Sequence, residues 1–211
     1  VFTVNGKAII GVPISQEPGE AAIDFRLENR SKKEIFRVQK KNYTEQRITL
    51  ADTKMVSPPT KELDRIRKES AAQKAVYASF TPQIDLSPGF IMPLEGRKTS
   101  LYGHRRFFND VPRSPHSGLD IAAPTGTPIV APGPGRVALR GDFYFNGKTI
   151  LLDHGQGLIT MYCHMSEYMV EEGEFIDQGQ MLGLVGSTGR STGPHLHLSL
   201  IHISEPTRHT Q

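Results

Sequence analysis

From Thr127 onward the sequence is a succession of short apolar runs cut at regular intervals by glycine or proline. Thr127 to Ala131 leads into Pro132-Gly-Pro-Gly135, and Arg136 to Arg140 reads as its partner strand. Thr149 to Leu152 and Leu158 to His164 follow. Glu174-Phe-Ile176 and Met181 to Val185 are joined through Gly179, and Pro194 to Leu200 closes the series. Parallel crossovers need a dozen or more residues between strands, and these connections are shorter. The pattern therefore predicts an antiparallel β-sheet or sandwich, not βαβ units. Twenty Gly and fifteen Pro without a single Trp fit a mainly β, turn-rich chain.

Upstream the texture differs. Residues 1–56 hold short alternating runs, with Asn5-Gly6 marking a tight turn and strand candidates at Ala21 to Leu27 and Arg47 to Leu50. They read as a small β-rich accessory region that packs or spaces. Residues 57–85 read as a helical linker, its helix spanning about residues 60 to 78. Thr60 is the expected N-cap, and Leu63, Ile66, Ser70 and Tyr77 share one face, interrupted by Gln73. Asp64 and Lys68 stand in favourable i, i+4 order. Pro82, Pro88, Gly89 and Pro93 then end helical tendency. Residues 86–200 form the third unit, and 201–211 an atypical tail that reads as non-native.

No apolar run approaches the roughly 18 residues of a membrane span. A single cysteine excludes an internal disulfide and any cysteine-cluster zinc site. The net charge of +3 is mild, compatible with a polyanionic surface without requiring one. Val1-Phe-Thr-Val4 reads as the middle of a strand, so a leader is expected ahead of it.

Within the third unit lie more candidate metal ligands than one ion needs: His116 and Asp120, His164, and His195 with His197. Strand alternation puts His195 and His197 on one face, with Leu196 and Leu198 turned to a core. Gly118, Pro112 and Pro115 place His116 and Asp120 on a loop leading into a strand. Along Leu158 to His164, alternation groups Thr160, Tyr162 and His164, with Met161 and Cys163 opposite. Cys163 then reads as a small buried hydrophobe. His154 reads as a structural or surface residue, and His104, His202 and His209 receive no role. The run Gly183 to Gly193 lacks the Gly-Lys-Ser/Thr ending of a phosphate loop and reads as tight turns leading rigidly to His195, with Arg190 on it placed to touch substrate or, the favoured reading, solvated. Two His and one carboxylate suit a catalytic zinc with an open position, and equally the facial triad of non-haem iron oxygenases. Two further imidazoles favour proton transfer in hydrolysis.

His116-x-x-x-Asp120, Tyr162-x-His164 and Pro194-His-Leu-His197 together resemble the signature of the lysostaphin-type zinc endopeptidases. Gly118 to Pro124, Gly126 to Pro132, Asp153-His-Gly155 and Gly186-Ser-Thr-Gly189 match as well. The resemblance covers about residues 88 to 200, and the sequence departs from it after Leu200. It implies Zn²⁺ held by His116, Asp120 and His197, with His164 and His195 flanking its water. It implies peptidoglycan peptide bonds as substrate, no nucleic-acid partner, and a periplasmic or cell-envelope location.

Overall fold

The computed structural model describes residues 2–4, 7–27, 30–82, 84–86 and 89–202. The chain opens with two antiparallel hairpins, β1 (Phe2–Val4) with β2 (Lys7–Ile9) and β3 (Gly19–Leu27) with β4 (Arg30–Val38). The Asn5-Gly6 turn expected between the first two lies outside the described residues. β5 (Glu45–Ile48) follows, then a short 3-10 turn at Thr53–Met55 and a second at Thr60–Glu62.

The only α-helix among the described residues, α1, spans Leu63–Tyr77. Its start corrects the expectation for Thr60: Pro59 caps the 3-10 turn with extended backbone, and α1 then begins at Leu63, its N-cap Glu62 making no side-chain cap hydrogen bond. Glu69, on the half-buried side of the helix, accepts the Tyr144 N–H at 2.8 Å and pairs with Arg65 at 2.6 Å. Asp64 pairs with Arg67 at 2.9 Å, not in the expected order with Lys68. Gln73 lies within the half-buried stripe, its carbonyl oxygen 3.4 Å from both the Tyr77 hydroxyl and Asn146 Nδ2.

The remaining strands build the body. They are β6 (Arg97–Ser100), β7 (Arg105–Phe108), β8 (Val111–Pro112), β9 (Leu119–Ala122), β10 (Pro128–Val130), β11 (Gly135–Phe143) and β12 (Gly147–Asp153). After them come β13 (Leu158–Met165), β14 (Glu167–Tyr168), β15 (Phe175–Ile176), β16 (Met181–Leu184) and β17 (His195–His202). Seven of these form one sheet in the order β15-β11-β12-β13-β17-β9-β6, antiparallel throughout. β13 is central and buried at every position, as a strand covered on both faces must be.

One face of the sheet packs Ile121, Val137, Ile150, Leu152, Tyr162 and Leu196 against Ile129 and Leu182 of the small sheet β10-β16-β14. This makes the expected sandwich, and each fully buried Ile or Leu contributes about 1.5–3 kcal/mol. On the other face Leu151, Ile159, Met161 and Cys163 are covered by Val76 and Tyr77 of α1. Cys163 is thus the buried hydrophobe expected, and burial pushes its thiol up to about 12. Further along this face the helix stops and a groove begins. There β5 pairs in parallel with β7, and β7 antiparallel with β8, while Leu50, Val56 and Phe108 cluster beside them.

His154 is structural and buried. Its Nδ1 donates to the Pro134 carbonyl at 2.7 Å, Nε2 accepts from the Thr160 hydroxyl at 2.7 Å, and Tyr162 donates to that same oxygen at 2.8 Å. The chain of bonds satisfies a neutral imidazole, whose pKa burial pushes down.

Candidate metal centre

The groove is built on the strand pair β9–β17. Their register sets Asp120 directly opposite His197, so carboxylate and imidazole rise from the same face as neighbours. His197 Nδ1 lies 2.7 Å from Asp120 Oδ1. His116 reaches the same point from the loop before β9. Its backbone N–H donates to the His104 carbonyl at 2.9 Å, and its carbonyl accepts from Gly103 at 2.8 Å. Its Nδ1 faces the Leu101 carbonyl at 2.9 Å and the Ser100 hydroxyl at 3.0 Å. Donation from Nδ1 to the carbonyl leaves Nε2 with a lone pair, 3.0 Å from both Asp120 Oδ1 and His197 Nδ1. Gly118 makes room: a Cβ there would sit 2.4 Å from the Leu198 carbonyl and 2.9 Å from His197 Nε2.

All three residues are buried. Burial alone would raise the Asp120 carboxyl, but the imidazoles of His116 and His197 against it and the charge of Arg106 hold it well below the usual carboxylate range. Burial pushes His197 down, against the pull of Asp120, which favours the neutral ligating form. Among the described residues this is the one group of three such side chains whose donor atoms converge. Edges of 2.7–3.0 Å approach the roughly 3.3 Å expected between ligands of a tetrahedral zinc. Two nitrogens and one carboxylate oxygen, with the His116 tautomer set by its bond to the Leu101 carbonyl, fit a catalytic zinc.

The two remaining histidines stand beside the triangle. The His164 ring lies 4.7 Å from the His195 ring and 6.2 Å from that of His197. The alternation expected along β13 fails at this residue. Tyr162 and Met165 both enter the main core although three apart, because Cys163 and His164 together oppose Thr149 in a β-bulge. His164 takes φ 65°, a left-handed conformation that costs a non-glycine residue about 1–3 kcal/mol. Instead of following Tyr162 inward it turns to the side of Cys163 and His197. Its Nδ1 donates to the Thr188 carbonyl at 2.8 Å, leaving Nε2 unprotonated. Burial, then the nearby His195, push its pKa down to about 3, so it is neutral at physiological pH. His195 Nδ1 likewise donates to the Gly193 carbonyl at 2.8 Å.

A pair of His-rich segments and an aspartate converging this way has relatives. Residues 114–208 match the model of Peptidase family M23. A crystal structure of a Pseudomonas aeruginosa protein assigned to peptidase M23 is 39% identical, covers 90% of this chain and 72% of its own, and superposes with a TM-score of 0.71. The chain belongs to peptidase family M23. Peptidoglycan DD-endopeptidase ShyA of Vibrio cholerae is 41% identical over 93 residues, 44% of this chain and 22% of that protein. DD-carboxypeptidase/endopeptidase Mpg of Neisseria meningitidis is 44% identical over 82 residues, 39% of this chain and 19% of that protein. The chain therefore aligns with only about a fifth of these curated relatives' length.

In this M23 chain the glycine loop before His195 does what the sequence implied. A Cβ at Gly186 would lie 2.4 Å from the Ser166 nitrogen, and Gly189, at φ 69°, would meet Gly147 at 2.3 Å. Arg190 corrects the reading of that loop. It is not a solvated side chain: its guanidinium lies 4.5 Å from the ring centres of both Phe108 and Phe145, and it lines the groove with His164 and His197. Arg106 was missed altogether. From β7 it pairs with Asp120 Oδ2 while its Nε donates to Gln46 of β5 at 3.1 Å. No local signal marked it, since Arg106 and Asp120 meet solely through tertiary packing.

Proposed function

We propose that this chain is a zinc-dependent endopeptidase that hydrolyses peptide bonds of peptidoglycan, in a stem peptide or cross-bridge, outside the cytoplasm in the periplasm or cell envelope. The observation that carries the reading is the convergence of His116 Nε2, Asp120 Oδ1 and His197 Nδ1 beside two further imidazoles whose outer nitrogens are already committed. The names of ShyA and Mpg support the substrate. In this reading residues 86–200 form the peptidase unit, 57–85 its linker and 1–56 an accessory region.

A zinc ion held by the three ligands would acidify a water and polarise the scissile carbonyl. The protein's own residues supply the proton traffic. His164 and His195, with Nδ1 pinned to the carbonyls of Thr188 and Gly193, are held to present Nε2 to the groove. A neutral Nε2 accepts the water's proton as attack proceeds and returns one to the departing amine. The other ring, once protonated on Nε2, hydrogen-bonds the oxygen on which negative charge gathers. Two imidazoles 4.7 Å apart divide these duties without either having to move far. Arg106, bound to Asp120 and Gln46, orients the carboxylate from outside the ligand triangle.

The test is to incubate the zinc-loaded chain with purified peptidoglycan and identify released fragments by mass spectrometry. Cleavage is expected at a peptide bond and is lost with a chelator or in Asp120→Ala. Undiminished release by Asp120→Ala or His116→Ala overturns the reading.

A further inference from the structure

On the His116 side of the ligand triangle the groove opens into a cavity of about 250 Å³. Three guanidinium groups line it, those of Arg106, Arg113 and Arg190, and no acidic side chain does. Arg106 is committed to Asp120. The other two are not matched by charge. Arg190 Nη1 has the Met55 carbonyl at 3.4 Å, and Arg113 Nη2 donates to the Val56 carbonyl. Both partners are neutral. The Nε of Arg113 is buried with no hydrogen-bond partner, the one such side-chain atom among the described residues. Arg190 is fixed between Phe108 and Phe145, stacking that holds a guanidinium plane in place while its edge stays free to donate. Burial and the charges of Arg113 and Arg106 push Arg190 down to about 10, still protonated at neutral pH.

Gathering like charges in a partly buried cavity is unfavourable unless an anion completes it. The planar fork of arginine matches a carboxylate in two parallel hydrogen bonds. We infer that Arg113 and Arg190 form a subsite that binds a free carboxylate of the peptide substrate, next to the scissile bond on the His116 side. This specificity determinant rests on the peptidase reading above: the ligand is an acidic peptide, and the two arginines bind it without touching the reacting atoms.

The test uses the zinc-loaded full chain and two forms of the same purified muropeptides, one native and one with its carboxyl groups chemically amidated. The native form is expected to be cut with a kcat/KM about tenfold or more above the amidated form, the difference residing in KM, as a charge-assisted hydrogen bond would give. Arg113→Gln and Arg190→Gln are each expected to raise KM for the native form and to erase the preference. Should Arg190→Gln lose its stacking and fail to fold, Arg113→Gln and the wild-type preference carry the test. Equal cleavage of both forms by wild type overturns the subsite and leaves the peptidase reading standing. Cleavage of neither form overturns the peptidase reading, and the subsite with it.

Discussion

Gly118→Ala should disable the metal centre without removing a ligand. The added methyl group would lie 2.4 Å from the Leu198 carbonyl oxygen and 2.8 and 2.9 Å from His197 Cε1 and Nε2. Ordinary contact is about 3.5 Å, so the methyl needs about 1 Å more room from the carbonyl and about 0.6 Å more from the imidazole. The carbonyl belongs to the β9–β17 ladder, where Leu198 pairs with Leu119, and is the harder of the two to move. The ring therefore yields, carrying Nδ1 away from Asp120 Oδ1, now 2.7 Å distant. Ligand positions tolerate only about 0.2 Å. We expect zinc affinity to fall by about 10- to 100-fold, the range seen when support of a ligand is lost. Overpacking should also cost about 1–3 kcal/mol and lower Tm by several degrees. Competition against a chromogenic chelator measures the first and thermal unfolding the second. Gly193→Ala, where a Cβ meets nothing within 4 Å, is the matched control and should leave both unchanged. A folded Gly118→Ala protein that binds zinc as tightly as wild type would refute the steric argument.

Three further outcomes are expected. His164→Ala and His195→Ala should retain zinc at full stoichiometry yet lose about 10²- to 10⁴-fold in peptidoglycan hydrolysis, the contribution of a positioned acid or base; loss of zinc instead would make them ligands. His154, its pKa lowered by burial, takes up a proton on unfolding at a higher pH than it does when folded. Its contribution is therefore complete above about pH 6.5 and declines as pH falls from there, by up to about 1.4 kcal/mol per pH unit. Denaturant melts of wild type and His154→Gln from pH 8 to pH 5 should show a shallower pH slope in the variant, and identical slopes would contradict this. Cys163, with its thiol pushed up to about 12 and buried, should resist a thiol reagent at pH 8 until the protein unfolds, and prompt labelling of native protein would contradict its placement.

Much of the sheet was legible because its signals are local. Apolar runs between glycine and proline corners located β10 to β13 and β15 to β17 within a few residues, though β10 pairs with β16 and not with the expected β11, and period-two alternation put His195 and His197 on one face with Leu196 in the core. Donor chemistry likewise marked His116, Asp120, His164, His195 and His197 as candidates, since only a few side-chain types ligate metals. What alternation could not supply was any departure from it. His164 reaches the groove through a bulge and a left-handed backbone angle, and nothing in Tyr162-Cys-His164 distinguishes that from a regular strand. Helix start chemistry misled at Thr60 for a similar reason: two prolines tightened the first turn and moved the cap.

The arginines mark the sharper limit. Arg106, Arg113 and Arg190 lie on three separate segments, and a charged residue in a loop or on an edge is ordinarily solvated. Packing alone decided otherwise, by laying β7 against β5 and bringing the glycine loop under Phe108 and Phe145. Residue type and local periodicity thus determined much of the sheet and gathered five candidate ligands, which only the resemblance to the lysostaphin-type enzymes divided. Tertiary structure decided which charges lost their water, because desolvation depends on neighbours distant in the chain.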